Sequence, residues 1–483
     1  MIPYAHWLSS GDNAWQLTAA TFVGLMSIPA LAVLYGGLVQ KKWAVNTMLM
    51  AFTGFSLVLV VWVCWGFKMG FGDPMKLGPG ILQAAVGKPR SILGVDNTHQ
   101  AVVPLLDGLM PKFRFSETTL AYFQFVFAAI TPLLFLGSVI GRINFKVWLL
   151  FVPLWSTFAY CVNAFLLWGG GWWASAHPSL GSWFSTGALD YSGGYVIHLA
   201  AGTTGFVAAA VIGPRLARDR DHAVPNNLPM AAVGAGILWL GWNGFNGGDP
   251  YFAGANASLA VINTNLCTAV ALLTWVLWDM FASRQRKPTF LGAVNGMIAG
   301  LVGITPAAGF VNTFGAMIIG IVTSSLVWLS WNYLGRTKPF KKVDDALGVV
   351  HTHGVAGLAG GLLVGVLADP HVIEYLGNGA DVADVTSAGW LWGHHPGQIL
   401  IQLGAALTVI IWDAFVTFAI LRILGLFMNL RAPDDVLETG DIGAHDEEAY
   451  PDEALITGRP AEPAIPDTPE AALGEKTPQH AAD

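Results

Sequence analysis

Two histidines at matched positions are the residues of this chain whose types and spacing most suggest chemistry. His198 follows Asp190 by eight positions, and His353 follows Asp345 by the same eight positions. If these segments are helical, each imidazole lies about 12 Å along the helix from its carboxylate, close to the middle of a hydrocarbon core about 30 Å thick. Two neutral imidazoles at that depth could hydrogen-bond each other, offer a polar edge to a small solute and relay a proton.

Two other interpretations of these histidines start from the residues alone. A single buried histidine is often a core residue with its hydrogen bonds satisfied, but that explanation weakens for two histidines at matched positions. A metal site would need a third ligand, and His351, the nearest candidate, lies about 200° round a helix from His353. The cysteines match no metal spacing either: Cys64, Cys161 and Cys267. We therefore expect no metal, no cofactor and no enzymatic centre.

The composition identifies the environment of these segments. Of the 483 residues, 54% are hydrophobic and 11% are charged, and the mean hydropathy is +0.54. Because soluble domains carry about 25% charged residues, a surface this poor in charge must face membrane lipid. The 57 glycines fit the same interpretation, since helices packed in lipid need small residues for close contact. Lipid is thus an expected partner, and nucleic acid is not.

Long apolar runs alternate with short polar breaks and predict an all-α membrane protein with eleven transmembrane helices within residues 16–426. We place the spans near residues 16–38, 44–66, 117–139, 147–167, 191–213, 227–247, 255–281, 289–307, 309–333, 346–367 and 398–426. Residues 1–15 precede them as an N-terminal segment without the basic start of a secretory signal peptide. Residues 427–450 are expected to form an ordered tail, and residues 451–483 are predicted to be disordered.

Charge and motif order together predict how the chain is threaded. Lysine and arginine collect in alternate breaks, which places the N-terminus outside and the C-terminal tail in the cytoplasm. Asp190 opens the fifth span and Asp345 opens the tenth, so the two motifs enter the membrane from opposite sides. The halves, about residues 16–213 and 227–367, therefore form an inverted five-helix repeat, with the eleventh helix outside it. Such repeats place the functional site near the bilayer midplane.

Six motifs in this chain occur in the order found in one known family. They are Tyr35-Gly-Gly-Leu-Val-Gln-Lys-Lys42, Phe123-Gln-Phe-Val-Phe127, Trp168-Gly-Gly-Gly171, Asp190 through His198, Gly241-Trp-Asn-Gly-Phe-Asn246 and Val343-Asp-Asp345 through Gly357. On these motifs the chain resembles the ammonium transporter family of Amt, Mep and Rh proteins, bacterial Amt proteins in particular, over about residues 12–450. The resemblance implies a homotrimer in the inner cell membrane, in which each subunit has a central pore for ammonium or ammonia.

The resemblance also implies roles for aromatic residues. Phe123, Phe127 and Trp168 match the outer ammonium-binding site. Phe127 and Phe245 match a stacked pair that gates the pore, and Trp242 matches a pore-lining position near the histidines. Aromatic faces attract cations by up to about 2 kcal/mol when desolvated, so such a vestibule could hold ammonium. For Trp168 taken by itself, a place in the aromatic belt of the membrane interface is an equal alternative.

Alternatives stay open for the acids of this region. Asp249 stands where the family often has a serine, and it could either bind ammonium or turn away and cap the seventh span. Asp190 matches an acid that the family needs, and it either titrates or braces the start of a helix. Bracing is favoured, because an acid at a helix N-terminus interacts well with the helix dipole. Asp345 holds the matching supporting position in the second half.

Conduction of ammonia is the predicted mechanism, because a bare ammonium ion would lose most of its hydration in an apolar tube. Ammonium would be recruited outside, deprotonated near the gate, carried as ammonia past the two histidines and reprotonated inside. The alternatives are an ammonium sensor that acts through a partner and an Rh-like channel for the neutral gas. Residues 427–450 resemble the family's ordered tail, which contacts neighbouring subunits and supports control by PII-type proteins; otherwise they form a solvated acidic tail.

Overall fold

Eleven apolar helices form the body of the computed structural model, which describes residues 8–93, 113–174, 187–221, 223–375 and 384–451. In these ranges ten helices are long and apolar enough to span a membrane, and one apolar helix is shorter. In chain order they are α1 (Ser10–Leu38), α2 (Lys41–Phe71), α3 (Glu117–Val139), α4 (Phe145–Leu167), α5 (Gly194–Ile212), α6 (Leu228–Gly248), α7 (Ala255–Phe281), α8 (Phe290–Ile304), α9 (Thr313–Arg336), α10 (Val350–Leu367) and α11 (Gly397–Leu424). The predicted eleven-helix class is confirmed.

Helix boundaries differ from the predicted spans where local interactions set them. The Ser9 hydroxyl accepts a hydrogen bond from the Asp12 N–H and caps α1. This helix therefore begins at Ser10 rather than near residue 16. By contrast, α8 is shorter than its predicted span: it ends at Ile304, and turns occupy residues 305–310. A turn in this segment is expected at Pro306, which cannot continue the hydrogen-bond ladder of a helix.

Five of the described helices contain a wider, π-helical turn. These turns are Met26–Ala30, Trp62–Gly66, Ser156–Tyr160, Gly194–Leu199 and Val350–Val355. The last two hold the matched histidines and open α5 and α10. The expectation of a regular helix from each aspartate onward is therefore wrong at its start. Turns of this kind occur frequently at functional sites.

The helices α5 and α10 run in opposite directions past each other. The first turns of α5 contact the later part of α10, and the later part of α5 contacts the first turns of α10. Glycines make this contact possible: a Cβ atom on Gly202 would lie 2.3 Å from the Cα atom of Gly354. A Cβ atom on Gly357 would lie 2.6 Å from the carbonyl oxygen of Gly194. The two motifs therefore meet backbone to backbone, as an inverted repeat requires.

Short elements close the ends of the bundle. Between α10 and α11, β1 (Ile373–Tyr375) pairs antiparallel with β2 (Val385–Thr386). The opposite end, called the tail face here, carries the tail helices α12 (Asp434–Thr439) and α13 (Asp441–His445). Single-turn helices occupy other connections: Gly80–Gln83, Ala217–Asp221, Phe340–Lys342 and Trp390–Gly393.

The tail is held against the loops of the tail face. The Asp441 carboxylate accepts hydrogen bonds from the Val45 and Asn46 N–H groups, both at 2.8 Å. The Leu430 carbonyl accepts one from the Asn144 N–H at 2.9 Å. The first part of the tail is therefore docked on the bundle rather than solvated as a free chain. Residues 452–483 lie outside the described residues, so disorder there stays a prediction.

Candidate functional site

The two imidazoles meet inside the bundle. The Nδ1 atoms of His198 and His353 lie 3.2 Å apart, and their ring planes are inclined by 22°. The side chains are 0% and 5% exposed, respectively. One Nδ1 must carry a proton and the other must accept it, so at least one ring is neutral in this arrangement. The Nε2 atom of His198 is buried and has no hydrogen-bond partner among the described residues.

Asp190 positions the first histidine by ending the loop that leads into α5. Its carboxylate accepts hydrogen bonds from the Tyr195 N–H at 3.1 Å and the Val196 N–H at 3.1 Å. Gly193 lies between Asp190 and Tyr195 in the sequence and has φ 105°, a left-handed conformation that glycine adopts at low cost. These contacts are those of a carboxylate that braces a helix N-terminus, where unpaired N–H groups are available.

Asp345 does the same for the second histidine. Its carboxylate accepts hydrogen bonds from the Val349 N–H at 3.1 Å and the Val350 N–H at 2.8 Å. The Ser138 hydroxyl donates a third at 2.8 Å, which ties this loop to α3. Gly348 takes the left-handed conformation here, with φ 74°. The two halves of the repeat therefore use the same local device of an acid, a left-handed glycine and a π-helical turn.

Stacked aromatic rings continue from the histidines toward the face opposite the tail. Phe127 and Phe245 stack with ring centroids 4.3 Å apart, and both are fully buried. Phe245 lies 6.0 Å from the His198 ring. On the other side Phe127 contacts Phe123 at 4.8 Å and the edge of half-buried Trp168 at 6.5 Å. The predicted aromatic vestibule, gate and histidine residues thus form one column, in which the buried phenylalanine pair stands between the vestibule and the histidines.

Tryptophan side chains are fixed on this column by hydrogen bonds. Trp168 donates its indole N–H to the Asp190 carbonyl at 2.8 Å. Trp242 stacks on His198 with centroids 5.4 Å apart and donates its N–H to the Thr305 hydroxyl at 2.9 Å. Thr305 has no counterpart among the predicted site residues. Its role depends on how α8 packs on α6, which no local sequence pattern reports.

Asp249 ends α6 and is buried, with 7% of its surface exposed. The alternative in which it caps the seventh helix is wrong, since α7 begins after Gly254 and has no side-chain cap. The Ala253 N–H just before it bonds instead to the Asp12 carboxylate at 2.9 Å. Asp249 lies beside Ser192, a buried residue that sequence reasoning missed although it stands within the first matched motif.

His351 points away from the pair, as its position on the helix predicted. Its Nδ1 atom lies 2.7 Å from the Ser330 hydroxyl, and its ring contacts Trp331 of α9. No group of three metal-ligating side chains occurs in the part of the chain that the structure describes.

A further residue that was not predicted is Gln124, which follows Phe123 in the sequence. Its side-chain amide donates a hydrogen bond to the Tyr251 hydroxyl at 2.8 Å.

These features define a multi-pass membrane protein with a buried column of aromatic and imidazole rings. The sequence matches the family model described as Ammonium Transporter Family over residues 14–450, and the chain belongs to this family. It is therefore an ammonium transporter and not an enzyme.

Individual relatives are similar in sequence to this chain over nearly its whole length. Ammonium transporter 3 member 2 of Oryza sativa subsp. japonica is 46% identical over 457 residues, covering 92% of this chain and 91% of the relative. Ammonium transporter 2 member 1 of the same plant is 48% identical over 448 residues, covering 92% and 87%. The crystal structure of Saccharomyces cerevisiae Mep2 superposes with a TM-score of 0.72 at 30% identity, covering 88% of this chain and 90% of Mep2. These relatives come from a plant and a yeast, so they do not support the bacterial subgroup that the motifs suggested.

Proposed function

We propose that the chain recruits ammonium at an outer aromatic vestibule, removes one proton and conducts ammonia through a pore lined by two histidines. The residues proposed for the vestibule are Phe123, Phe127, Trp168 and Asp249; for the gate, Phe127 and Phe245; and for the pore, His198, His353 and Trp242. Asp190 and Asp345 hold the histidine helices in place.

The contact between His198 and His353 carries this proposal. Their Nδ1 atoms lie 3.2 Å apart at a buried position, next to the stacked phenylalanine pair. Transfer of an unpaired ion into such surroundings costs tens of kcal/mol in the Born limit, whereas a neutral amine is far cheaper to transfer. Ammonia could exchange hydrogen bonds with the free Nε2 atom of His198 as it passes.

A proton relay is part of the same proposal. Because the two Nδ1 atoms share one hydrogen bond, a proton that arrives at one ring can be passed to the other by exchange of tautomers. Transport would then move a net positive charge although the solute in the pore is neutral. Charge movement distinguishes this mechanism from a channel for the neutral gas.

We further propose that the tail face is cytoplasmic. Basic residues gather there, which favours the inner side of a membrane: Lys41, Lys42, Arg142, Lys146, Arg215, Arg218 and Arg220. The N-terminus then lies outside. By analogy with the family, the protein would be a homotrimer in the inner cell membrane, surrounded by lipid, with a PII-type regulator at the tail face. The docked tail supports the proposal of such a regulatory surface.

The test is transport by the purified protein in proteoliposomes. An inward ammonium gradient should give a saturable positive current that methylammonium competes for, and protein-free liposomes should give none. Ammonia uptake without current would favour the neutral-gas channel. Ammonium binding without either signal would favour the sensor.

A further inference from the structure

Asp249 is a buried carboxylate that the structure leaves without a compensating charge. It is 7% exposed, and its Oδ2 atom has no hydrogen-bond partner among the described residues. No described lysine, arginine or histidine forms an ion pair with it. Burying an ionised carboxylate is expensive unless a cation or a proton neutralises it. The site is therefore suited to take up positive charge from what enters it.

The groups around Asp249 strengthen this preference. Asp190 is an acid that acts on Asp249, and the buried Ser192 lies beside it. The other titratable groups that face it are phenols, which are neutral at physiological pH: Tyr160, Tyr191, Tyr251 and Tyr375. Two carboxylates in one buried region favour the binding of a single proton between them.

The position of Asp249 places this carboxylate at the entrance to the gate. It follows Phe245 by four residues, one turn of α6, and Phe245 forms the gate stack with Phe127. The neighbouring Gly248 packs against the vestibule residue Phe123, where an added Cβ atom would lie 2.4 Å from the ring. An ammonium ion held by the vestibule rings therefore comes next to Asp249 before it reaches the gate.

We infer that Asp249 is the base that takes the proton from ammonium, so that ammonia is formed at the mouth of the gate. This inference rests on the proposed function and names the acceptor for its first step. One N–H bond of ammonium breaks, and its electron pair stays on nitrogen to give ammonia. An O–H bond forms at Asp249 Oδ2. The protonated carboxyl then gives up the proton to water at the mouth of the gate, from which the proton can enter the proposed histidine relay, and no oxidation or reduction takes place.

Variants at Asp249 separate proton acceptance from simple attraction of a cation. Asp249→Asn keeps the size of the side chain but cannot accept the proton, whereas Asp249→Glu keeps the carboxylate. We expect Asp249→Asn to lower the maximal rate of ammonium uptake in proteoliposomes about tenfold, which is less than the roughly 10²–10⁴-fold typical for a general base, because water can substitute as acceptor. The half-saturating ammonium concentration should change less. Asp249→Glu should recover most of the rate.

The pH profile is the second measurement. The wild-type rate should fall as acidification protonates the carboxylate, and the Asp249→Asn rate should lack that fall. Asp369→Asn is the matched control, because Asp369 is also 7% exposed but both its oxygens are hydrogen-bonded, to His371 and Asn312. This control should keep the wild-type rate and pH profile.

Three outcomes would overturn the inference. One is a wild-type maximal rate in Asp249→Asn, with or without weaker binding, because Asp249 would then act only as a binding charge. Another is an equal loss in the Asp369→Asn control, which would point to a general structural effect. The third is the same low rate in Asp249→Glu when the variant elutes as a folded species in size-exclusion chromatography. Wild-type vesicles that take up no ammonium would instead refute the proposed function itself.

Discussion

Gly202 of α5 packs against Gly354 of α10 so closely that the two backbones touch at this point. Each glycine lies within one turn of a pore histidine, Gly202 four residues after His198 and Gly354 directly after His353. The distance between the imidazoles is therefore set by a backbone contact rather than by flexible side chains. The rigidity of this crossing is what keeps a short hydrogen bond between rings that come from opposite halves of the chain.

Replacing Gly202 with alanine should separate the two helices. The added Cβ atom would lie 2.3 Å from a backbone atom that cannot rotate away, so we expect a loss of about 1–3 kcal/mol of stability from overpacking and a reduced ammonium current. Thermal unfolding in detergent and proteoliposome current measure the two effects. Gly236→Ala is the control, since no atom lies within 4 Å of its added Cβ. Equal behaviour of both variants would contradict the proposed crossing.

Removing both imidazoles should abolish proton-coupled transport. In the His198→Ala, His353→Ala double variant the hydrogen bond between the Nδ1 atoms is lost, so no path remains for the proton along this pair. We expect the ammonium-dependent current to disappear in proteoliposomes. His351→Ala serves as the control, because this histidine faces Ser330. A wild-type current in the double variant would refute the relay.

Shortening Phe245 should open the gate to hydrated ions. Phe245→Ala removes one ring of the stack with Phe127, whose centroids are 4.3 Å apart, and leaves room for water in the constriction. We expect a potassium current that the wild-type protein lacks, together with a stability loss of about 3 kcal/mol for the emptied core position. Phe415→Ala, at a side chain that is 63% exposed, should show neither change. A potassium-tight Phe245→Ala variant would exclude Phe245 as the selective barrier.

The ion pair between the Arg215 guanidinium and the Asp344 carboxylate, 2.7 Å apart at the tail face, should stabilise the loop that leads into α10. Burial disfavours ionisation of Asp344, yet the guanidinium groups of Arg215 and Arg142 hold its pKa below its usual value of 3.8. Because the pKa is lowered in the folded protein, the stabilisation is complete above pH 3.8 and is lost as the pH falls further. Asp344→Asn should lose about 3 kcal/mol, measured by thermal unfolding at pH 7. An unchanged transition would assign the pair no structural role.

The tail should detach when its main anchor is removed. Asp441→Ala deletes the acceptor for two N–H groups at the start of α2, so we expect faster hydrogen exchange across residues 434–445 and lower transport activity. Glu438→Ala, at an exposed position of α12, is the control and should leave exchange unchanged. Full wild-type activity of Asp441→Ala, or of a chain ending at residue 428, would contradict a regulatory tail.

The eleven spans were predictable because each apolar run is long and its flanking breaks are polar. The matched spacing of His198 and His353 likewise anticipated their meeting, since an inverted repeat brings equivalent positions together at mid-depth. The π-helical turns were not predictable, because no residue type marks a wide turn as proline marks a kink. Ser192 and Thr305 also escaped prediction. Their places in the site depend on contacts between helices that are distant in sequence.

Asp249 illustrates the limit in a single residue. Its sequence position allowed two opposite orientations, and only the three-dimensional structure shows that the side chain is buried. The capping role that it could have taken needs no carboxylate, because Gly254 precedes α7 and the Asp12 side chain bonds to Ala253.

The wide turns Gly194–Leu199 and Val350–Val355 make chain length itself a requirement of the pore. Removing one residue from either turn would leave too few residues for the wide turn and would shift the imidazole relative to the helix start that the aspartate holds. The imidazole would then leave its partner although every remaining residue type was preserved. Single-residue deletions between the aspartate and the histidine should thus be less tolerated than most replacements there. The spacing of eight positions is required in itself, because it sets where the imidazole lies relative to its partner.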